Sequence, residues 1–336
     1  MSEREDDTRH CTSTSTFEDS GEKQNLVTTR DSKLRLPPTA LLSPFRWRHG
    51  LSFGESSHYV TSALDHSWLI LRGSADAAPG DCLYRIRRHA HWQPDRIVYV
   101  WLKCPDLIPD EELRAFGPSV VRALSQLPAW RESWKTLTVS AENSVVQTQS
   151  DIFKPHSLPT DVLFEGYPFF DLLKLQDLKA VKSRTWSCLH HGRRCYLKTA
   201  RFQFEVNALA REVNAYHALR NSDLCPNIVG YVYEESPDRV VGFLMEEIVG
   251  YHPTIDDLAP CETALRKLHN MGITHGDLHK YNIIIAVDGA KFIDFEQAAL
   301  RDDTEEWPNT VQKEHEELRD KLLDMSGLGR PLGVAD

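Results

Sequence analysis

No stretch of this 336-residue chain is apolar over enough consecutive positions to span a bilayer. The opening, MSEREDDTRHCTSTSTFEDSGEK, also lacks the apolar segment of a signal peptide. Cysteine is sparse and scattered, seven residues without one C-x-x-C pair, which argues against a Cys-based zinc site and against a disulfide framework. Positive charge is short as well. Lys and Arg number 39 against 49 Asp and Glu, a net charge of −10, so nonspecific binding of nucleic acid or anionic membrane has no support. Together these absences predict an intracellular protein of a reducing compartment, cytoplasmic or nuclear.

What is present suits packed cores: 41% hydrophobic residues with eight Trp and thirteen Phe, in a chain long enough for two domains. Residues 1–44 are the exception. They are rich in Ser, Thr, Asp, Glu and Arg and cannot bury enough surface to offset their ordering entropy, so a disordered tail is expected. Residues 45–160 read as a small α+β unit. SWLILRG and DRIVYVWLKC have strand composition, and PDEELRAFGPSVVRALSQLPAW sets Leu113, Phe116, Val120, Val121, Leu124 and Leu127 near helical spacing. Asp110 is a natural N-cap there, and Gly117-Pro118 a natural break. His89, His91 and Asp95 lie close together but read as surface groups on a strand and loop. DIFKPHSLPTDVL, with its two prolines, suits a linker near 150–160.

A second pattern occupies residues 161–336. LKAVKSR, TWSCLHHG and RRCYLKTA read as strands, and FEVNALAREVNAYHAL as a helix with Leu209, Val213, Tyr216 and Leu219 on its apolar face. NIVGYVYEE and RVVGFLMEEI are two more strands. CETALRKLHNMG is a helix that carries Leu265, Leu268 and Met271 and is ended by Gly272. Then come the polar stretch THGDLHKYN and a hairpin signalled by Asp288-Gly289.

That polar stretch carries the chemistry. Asp277 and Asn282 lie five apart, and the hairpin returns the chain so that Asp294 falls beside them. Two carboxylates and an amide oxygen make an all-oxygen set suited to Mg²⁺ or Mn²⁺ holding phosphate oxygens. Phosphoryl transfer needs that metal, a carboxylate to take the acceptor's proton, and a cation on the phosphates. Lys198, at the end of RRCYLK, supplies the cation, and Glu212 on the next helix is a suitable partner for it. His275 and His279, spaced i, i+4, flank a loop rather than an apolar helix, so His275 is read as shaping the loop through a hydrogen bond.

From about Leu175 to Glu296, roughly a third of the chain, these residues resemble the protein-kinase-like superfamily. The catalytic loop reads H-G-D-L-H-K-Y-N and the metal-binding motif I-D-F-E, while CPNIVGYV and FLMEEI resemble the fourth and fifth strands. The resemblance implies a two-lobed α+β fold and an enzyme that uses ATP and Mg²⁺ to phosphorylate a hydroxyl of a protein or small molecule. It implies Asp277 as base, Lys198 and Glu212 as the phosphate-contacting pair, Asn282 and Asp294 as metal ligands. Met245 to Ile248 become the adenine hinge, with Glu246 and Ile248 offering backbone groups.

Four departures qualify this pattern. Gly276 stands where regulated protein kinases carry Arg, which removes the partner of a phosphorylated activation loop. His279 replaces a Lys and Glu296 a Gly, variants that resemble aminoglycoside and choline phosphotransferases and atypical microbial and fungal kinase-like proteins. KAVKSRTWSCLHHG contains no G-x-G-x-x-G, which leaves phosphate grip to Ser183, Thr185 and backbone groups. After Asp294 a single charged helix, TVQKEHEELRDKLL, stands for most of the helical lobe, so that lobe is reduced. The alternative reading is a pseudokinase, a scaffold that binds nucleotide or a partner without transferring phosphate.

Overall fold

The structure is a computed structural model that describes residues 81–90, 93–182, 184–301 and 306–331, with the backbone of two short strands at 34–35 and 66–70. The tail expected at 1–44 falls almost wholly outside the described residues, as do His91 and Ser183.

The first sheet contains β1 (Leu34–Arg35), β2 (His66–Ile70), β3 (Cys82–Ala90), β4 (Gln93–Leu102), β5 (Thr136–Glu142) and β6 (Val145–Ser150), in the order β1-β6-β5-β4-β3-β2. Strands β4 and β5 are parallel, so the chain between them must cross over, and it does so through α1 (Glu111–Ala115) and α2 (Gly117–Ser125). The Asp110 side chain accepts the Glu112 N–H at 2.9 Å and caps α1. Phe116 is extended, and Pro118 opens α2 where its missing N–H costs nothing. That break turns Leu113 and Phe116 outward, although helical spacing placed them on the apolar face. Val120, Val121 and Leu124 remain buried against Trp134, Leu137 and Val139. Strand β3 escaped the sequence reading because CLYRIRRHA interleaves arginines with its apolar residues. Asp95 pairs with Arg87 at 2.8 Å.

The second sheet contains β7 (Phe169–Asp171), β8 (Gln176–Lys182), β9 (Thr185–His190), β10 (Arg193–Thr199), β11 (Ile228–Tyr233) and β12 (Val240–Glu246), ordered β7-β11-β12-β10-β9-β8. Helix α3 (Gln203–Ala218) follows β10 and buries Leu209, Val213 and Tyr216, as its periodicity predicted. Beyond β12 lie α4 (Leu258–Asn270), β13 (Ile273–Thr274), the hairpin β14 (Ile283–Ala286) and β15 (Gly289–Phe292), β16 (Ala299–Leu300) and α5 (Glu306–Leu323). Leu265 and Leu268 of α4 are buried, while Met271 is exposed at its end. Ala286 pairs with Gly289, so the hairpin turn is Val287-Asp288, one residue before the expected pair. The fold is α+β and kinase-like.

A buried polar seam joins the two sheets. Glu234, just after β11, accepts from Arg85 Nε of β3 at 2.9 Å, from Tyr99 Oη of β4 at 3.2 Å, and pairs with Arg239 at 2.9 Å. Arg85 and Glu234 are both nearly inaccessible to solvent. The expected linker is tied into this seam. Leu158 N donates to the Val240 carbonyl at 2.7 Å, and the buried His156 ring donates from Nε2 to the Ala200 carbonyl at 2.8 Å.

Burial lowers His156 to about 4, although its bond to Ala200 opposes that shift. Glu234 moves to about 2 because Arg85 and Arg239 outweigh the burial that would raise it. Both shifts make the folded state bind fewer protons than the unfolded chain. His156 therefore contributes stability above pH 6.5 that is lost as pH falls toward 4, and Glu234 contributes stability above 4.5 that is lost toward 2. Each shift corresponds to about 3 kcal/mol. Urea denaturation of wild type and His156→Gln between pH 7 and 4 isolates the His156 part: the variant, which keeps a donor for Ala200 and cannot titrate, will lose less stability with acid than wild type, and equal pH slopes refute the assignment.

Candidate functional site

Lys198 sits near the end of β10, where it pairs with Thr185 of β9 and Phe243 of β12. Its ammonium lies 2.7 Å from Glu212 Oε2, 2.6 Å from Asp294 Oδ1 and 2.8 Å from Glu296 Oε1. Burial works against that charge, but the three carboxylates outweigh it and raise the lysine above its usual pKa. Burial likewise pushes Glu212 up to about 7 against the pull of Lys198. Glu212 also accepts the Phe295 N–H at 3.2 Å, so helix α3 grips the I-D-F-E segment through one carboxylate. Asp294 is held below the usual carboxylate range by Lys198 and Lys182 against a burial penalty. Its backbone is left-handed, with φ at 69°. Asp tolerates that region better than most side chains, and such strain gathers at functional sites.

The loop carrying Asp277 is fixed from three sides. Asn282 donates from Nδ2 to the Asp277 carbonyl at 3.0 Å, and its Oδ1 lies 3.4 Å from Lys182 Nζ. Lys182 Nζ also lies 3.3 Å from Asp294 Oδ2, so one ammonium touches both expected metal ligands. The buried His275 ring donates from Nε2 to the Ile293 carbonyl at 3.0 Å, making the loop-shaping bond expected of it, while Nδ1 accepts the Asp277 N–H at 3.3 Å. From below, Glu314 of α5 accepts the Gly276 N–H at 2.6 Å and contacts His269 Nε2 at 2.7 Å. The Asp277 side chain remains 54% exposed, open to an incoming molecule, with His279 Nε2 at 3.9 Å.

A cavity of about 410 Å³ lies between the second sheet and the β14–β15 hairpin. Lys198, Glu212, Met245, Glu246, Ile248 and Asp294 all line it, whereas Asp277 and Asn282 do not. Its size falls in the range of small-ligand and cofactor sites. The Glu246 N–H donates to the Asn227 carbonyl at 3.0 Å, so of its two backbone groups the carbonyl is the one left for a ligand.

Several contributors were missed in the sequence. Glu296 pairs with both Lys198 and Arg184, and its carbonyl accepts Arg211 Nε at 2.9 Å. Glu314 had a readable signal: with Leu318 and Leu322 it occupies one buried stripe of α5, a carboxylate among apolar positions. Lys182 carried no such mark. The C-terminal segment was also unforeseen. Gly329 lies so close to the His279 ring that an added Cβ would fall 2.3 Å from it, Arg330 Nε donates to Tyr281 Oη at 3.0 Å, and Pro331 lines the cavity.

The donor chemistry fits a hard cation, since Asn282 Oδ1 and Asp294 Oδ2 are both oxygens gathered around one ammonium. Residues 256–318 match the RIO domain, whose family consists of atypical kinase-like ATP-binding proteins. The match spans Asp277, Asn282, Asp294 and Glu314 but not Lys198 or Glu212. It supports the atypical kinase-like resemblance without selecting the branch, whether like the aminoglycoside and choline phosphotransferases or like the microbial and fungal kinase-like proteins. No curated protein matches the chain.

Gly276 shows why an arginine has no place in this loop. Its φ is 77°, and a Cβ there would lie 2.2 Å from the Gln297 carbonyl oxygen. Gly192 has a similar φ of 75° but open space around it. Gly192→Ala therefore bears only the left-handed penalty of about 1–2 kcal/mol, while Gly276→Ala adds a backbone clash of about 1–3 kcal/mol. Denaturant unfolding of the two variants measures this; equal losses would show that the loop yields to the methyl group.

Proposed function

We propose that the chain is an ATP- and Mg²⁺-dependent phosphotransferase that phosphorylates a hydroxyl of a protein or small molecule. One observation carries this reading: a single lysine on the cavity wall, Lys198, is bound at once by Glu212 and Asp294, while Asn282 reaches the Asp277 backbone. In this proposal residues 161–336 form the catalytic part, behind the unit at 45–160, and the protein works in a reducing, intracellular compartment. Cys104, Cys188, Cys195, Cys225 and Cys261, all buried and unpaired, accord with that compartment.

Met245, Glu246 and Ile248 bound the adenine end of the cavity. Lys198, oriented by Glu212, neutralises charge on the phosphates in a fixed direction, so no reorganisation is needed as charge shifts during transfer. Asn282 and Asp294 would hold Mg²⁺, which when bound supplies neutralisation of the phosphate oxygens. Asp277 projects into solvent from a loop held by Asn282, His275 and Glu314, where it orients an acceptor hydroxyl and takes its proton. Gly276 leaves no arginine to receive an activation-loop phosphate, so activity in this proposal does not wait on that modification.

At millimolar ATP with Mg²⁺ the wild-type unfolding midpoint will rise, and Asp294→Ala will lose the metal-dependent part of that rise. Asp277→Ala will keep the shift yet lower turnover by about 100-fold or more. No metal-dependent shift in wild type would favour the non-catalytic scaffold. Turnover that survives Asp277→Ala would remove the base.

A further inference from the structure

A glycine-rich loop grips phosphates with backbone N–H groups, and the turn between β8 and β9 has no such glycines. What the sheet offers there instead is a row of side chains. Lys182 pairs with Thr185 across β8 and β9, and Thr185 pairs with Lys198 across β9 and β10. Directly paired residues of neighbouring strands project from the same face, and all three line the cavity.

The two lysines of this row bracket one carboxylate. Lys198 meets Asp294 Oδ1 at 2.6 Å and Lys182 meets Oδ2 at 3.3 Å. Their settings differ. The Lys198 side chain is 5% exposed and also held by Glu212 and Glu296, whereas that of Lys182 is 23% exposed and its contacts are longer. Arg184, the other cation of this turn, is taken up by Glu296 and Glu205. Lys182 is thus the more loosely held ammonium of the cavity wall. The oxygens it touches, Asp294 Oδ2 and Asn282 Oδ1, are those assigned above to the metal.

We infer that Lys182 is a phosphate-gripping residue, doing with a side-chain ammonium what a glycine-rich loop does with its backbone. The inference rests on the nucleotide site proposed above. Lysine suits the task as a flexible point charge on a long stem, able to leave Asp294 and Asn282 for phosphate oxygens in the cavity. The ligand chemistry is the polyphosphate of a nucleotide, independent of its base.

Calorimetric titration of the full chain with ATP and with adenosine, in magnesium-free buffer containing EDTA, isolates the phosphate contact. Lys182→Met and Lys182→Gln are expected to weaken ATP binding about 10- to 100-fold, the worth of a hydrogen bond to a charged group, and to leave adenosine within about twofold. Lys182→Arg, which keeps the charge, restores most of the ATP affinity. Uncharged variants that bind ATP like wild type, or that lose ATP and adenosine equally, overturn the inference while the nucleotide site stands. Wild type that binds neither compound, with or without Mg²⁺, overturns the nucleotide site, and this inference with it.

Discussion

The architecture of the site depends on one buried ammonium. Lys198 is almost wholly removed from water, and an isolated charge in that position would be strongly unfavourable. Its partners come from two other parts of the chain: helix α3 through Glu212, and the segment after β15 through Asp294 and Glu296. Removing Lys198 would leave Glu212 and the carboxylates beside it without their cation in low dielectric, a change that typically costs about 3–5 kcal/mol. The electrostatic requirement of one side chain therefore sets how the sheet, the helix and the hairpin approach each other. The cavity is the space left between them.

A second buried charge does comparable structural service at a distance from the cavity. Glu234 gathers Arg85, Tyr99 and Arg239, and the neighbouring Glu235 binds Arg96 of β4 at 2.7 Å. Two consecutive acidic residues thus receive two arginines of the first sheet. Charge-assisted pairs of this geometry are directional, so they specify an orientation as well as a contact. The first sheet is held against the turn between β11 and β12, and the opposite end of β12 brings Met245 and Glu246 to the cavity wall.

Much of the second sheet and its helices was legible because local pattern and final environment agree there. Leu209, Val213 and Tyr216 recur at helical spacing and are buried, and the branched and aromatic runs became strands β8 to β12. The return of Asp294 to Asn282, where both meet Lys182, was legible because the hairpin between them is a short-range feature. The unreadable parts depend on long-range pairing. Strand β3 hides its burial behind Arg85, a charge that is stable inside only because Glu234, far along the chain, meets it. Strand β7 is three residues long and acquires its identity only by lying parallel to β11. Leu113 and Phe116 obeyed helical spacing, yet the break at Pro118 turned them outward. Glu296 and Lys182 meet Lys198 and Asp294 across sequence separations that no local window contains.

The cysteines have a practical consequence. All six described ones are buried, and burial pushes the Cys104 thiol to about 11 and those of Cys188, Cys225 and Cys261 to about 12. Such thiols are poor nucleophiles toward alkylating dyes at neutral pH. Leu328 is 72% exposed and adjoins Gly329, which lies against the His279 ring. With Cys11 replaced, a cysteine introduced at position 328 becomes a selective attachment point for a fluorophore. Its emission then reports on the C-terminal segment that packs on His279 and reaches the cavity through Pro331, while the buried thiols stay silent.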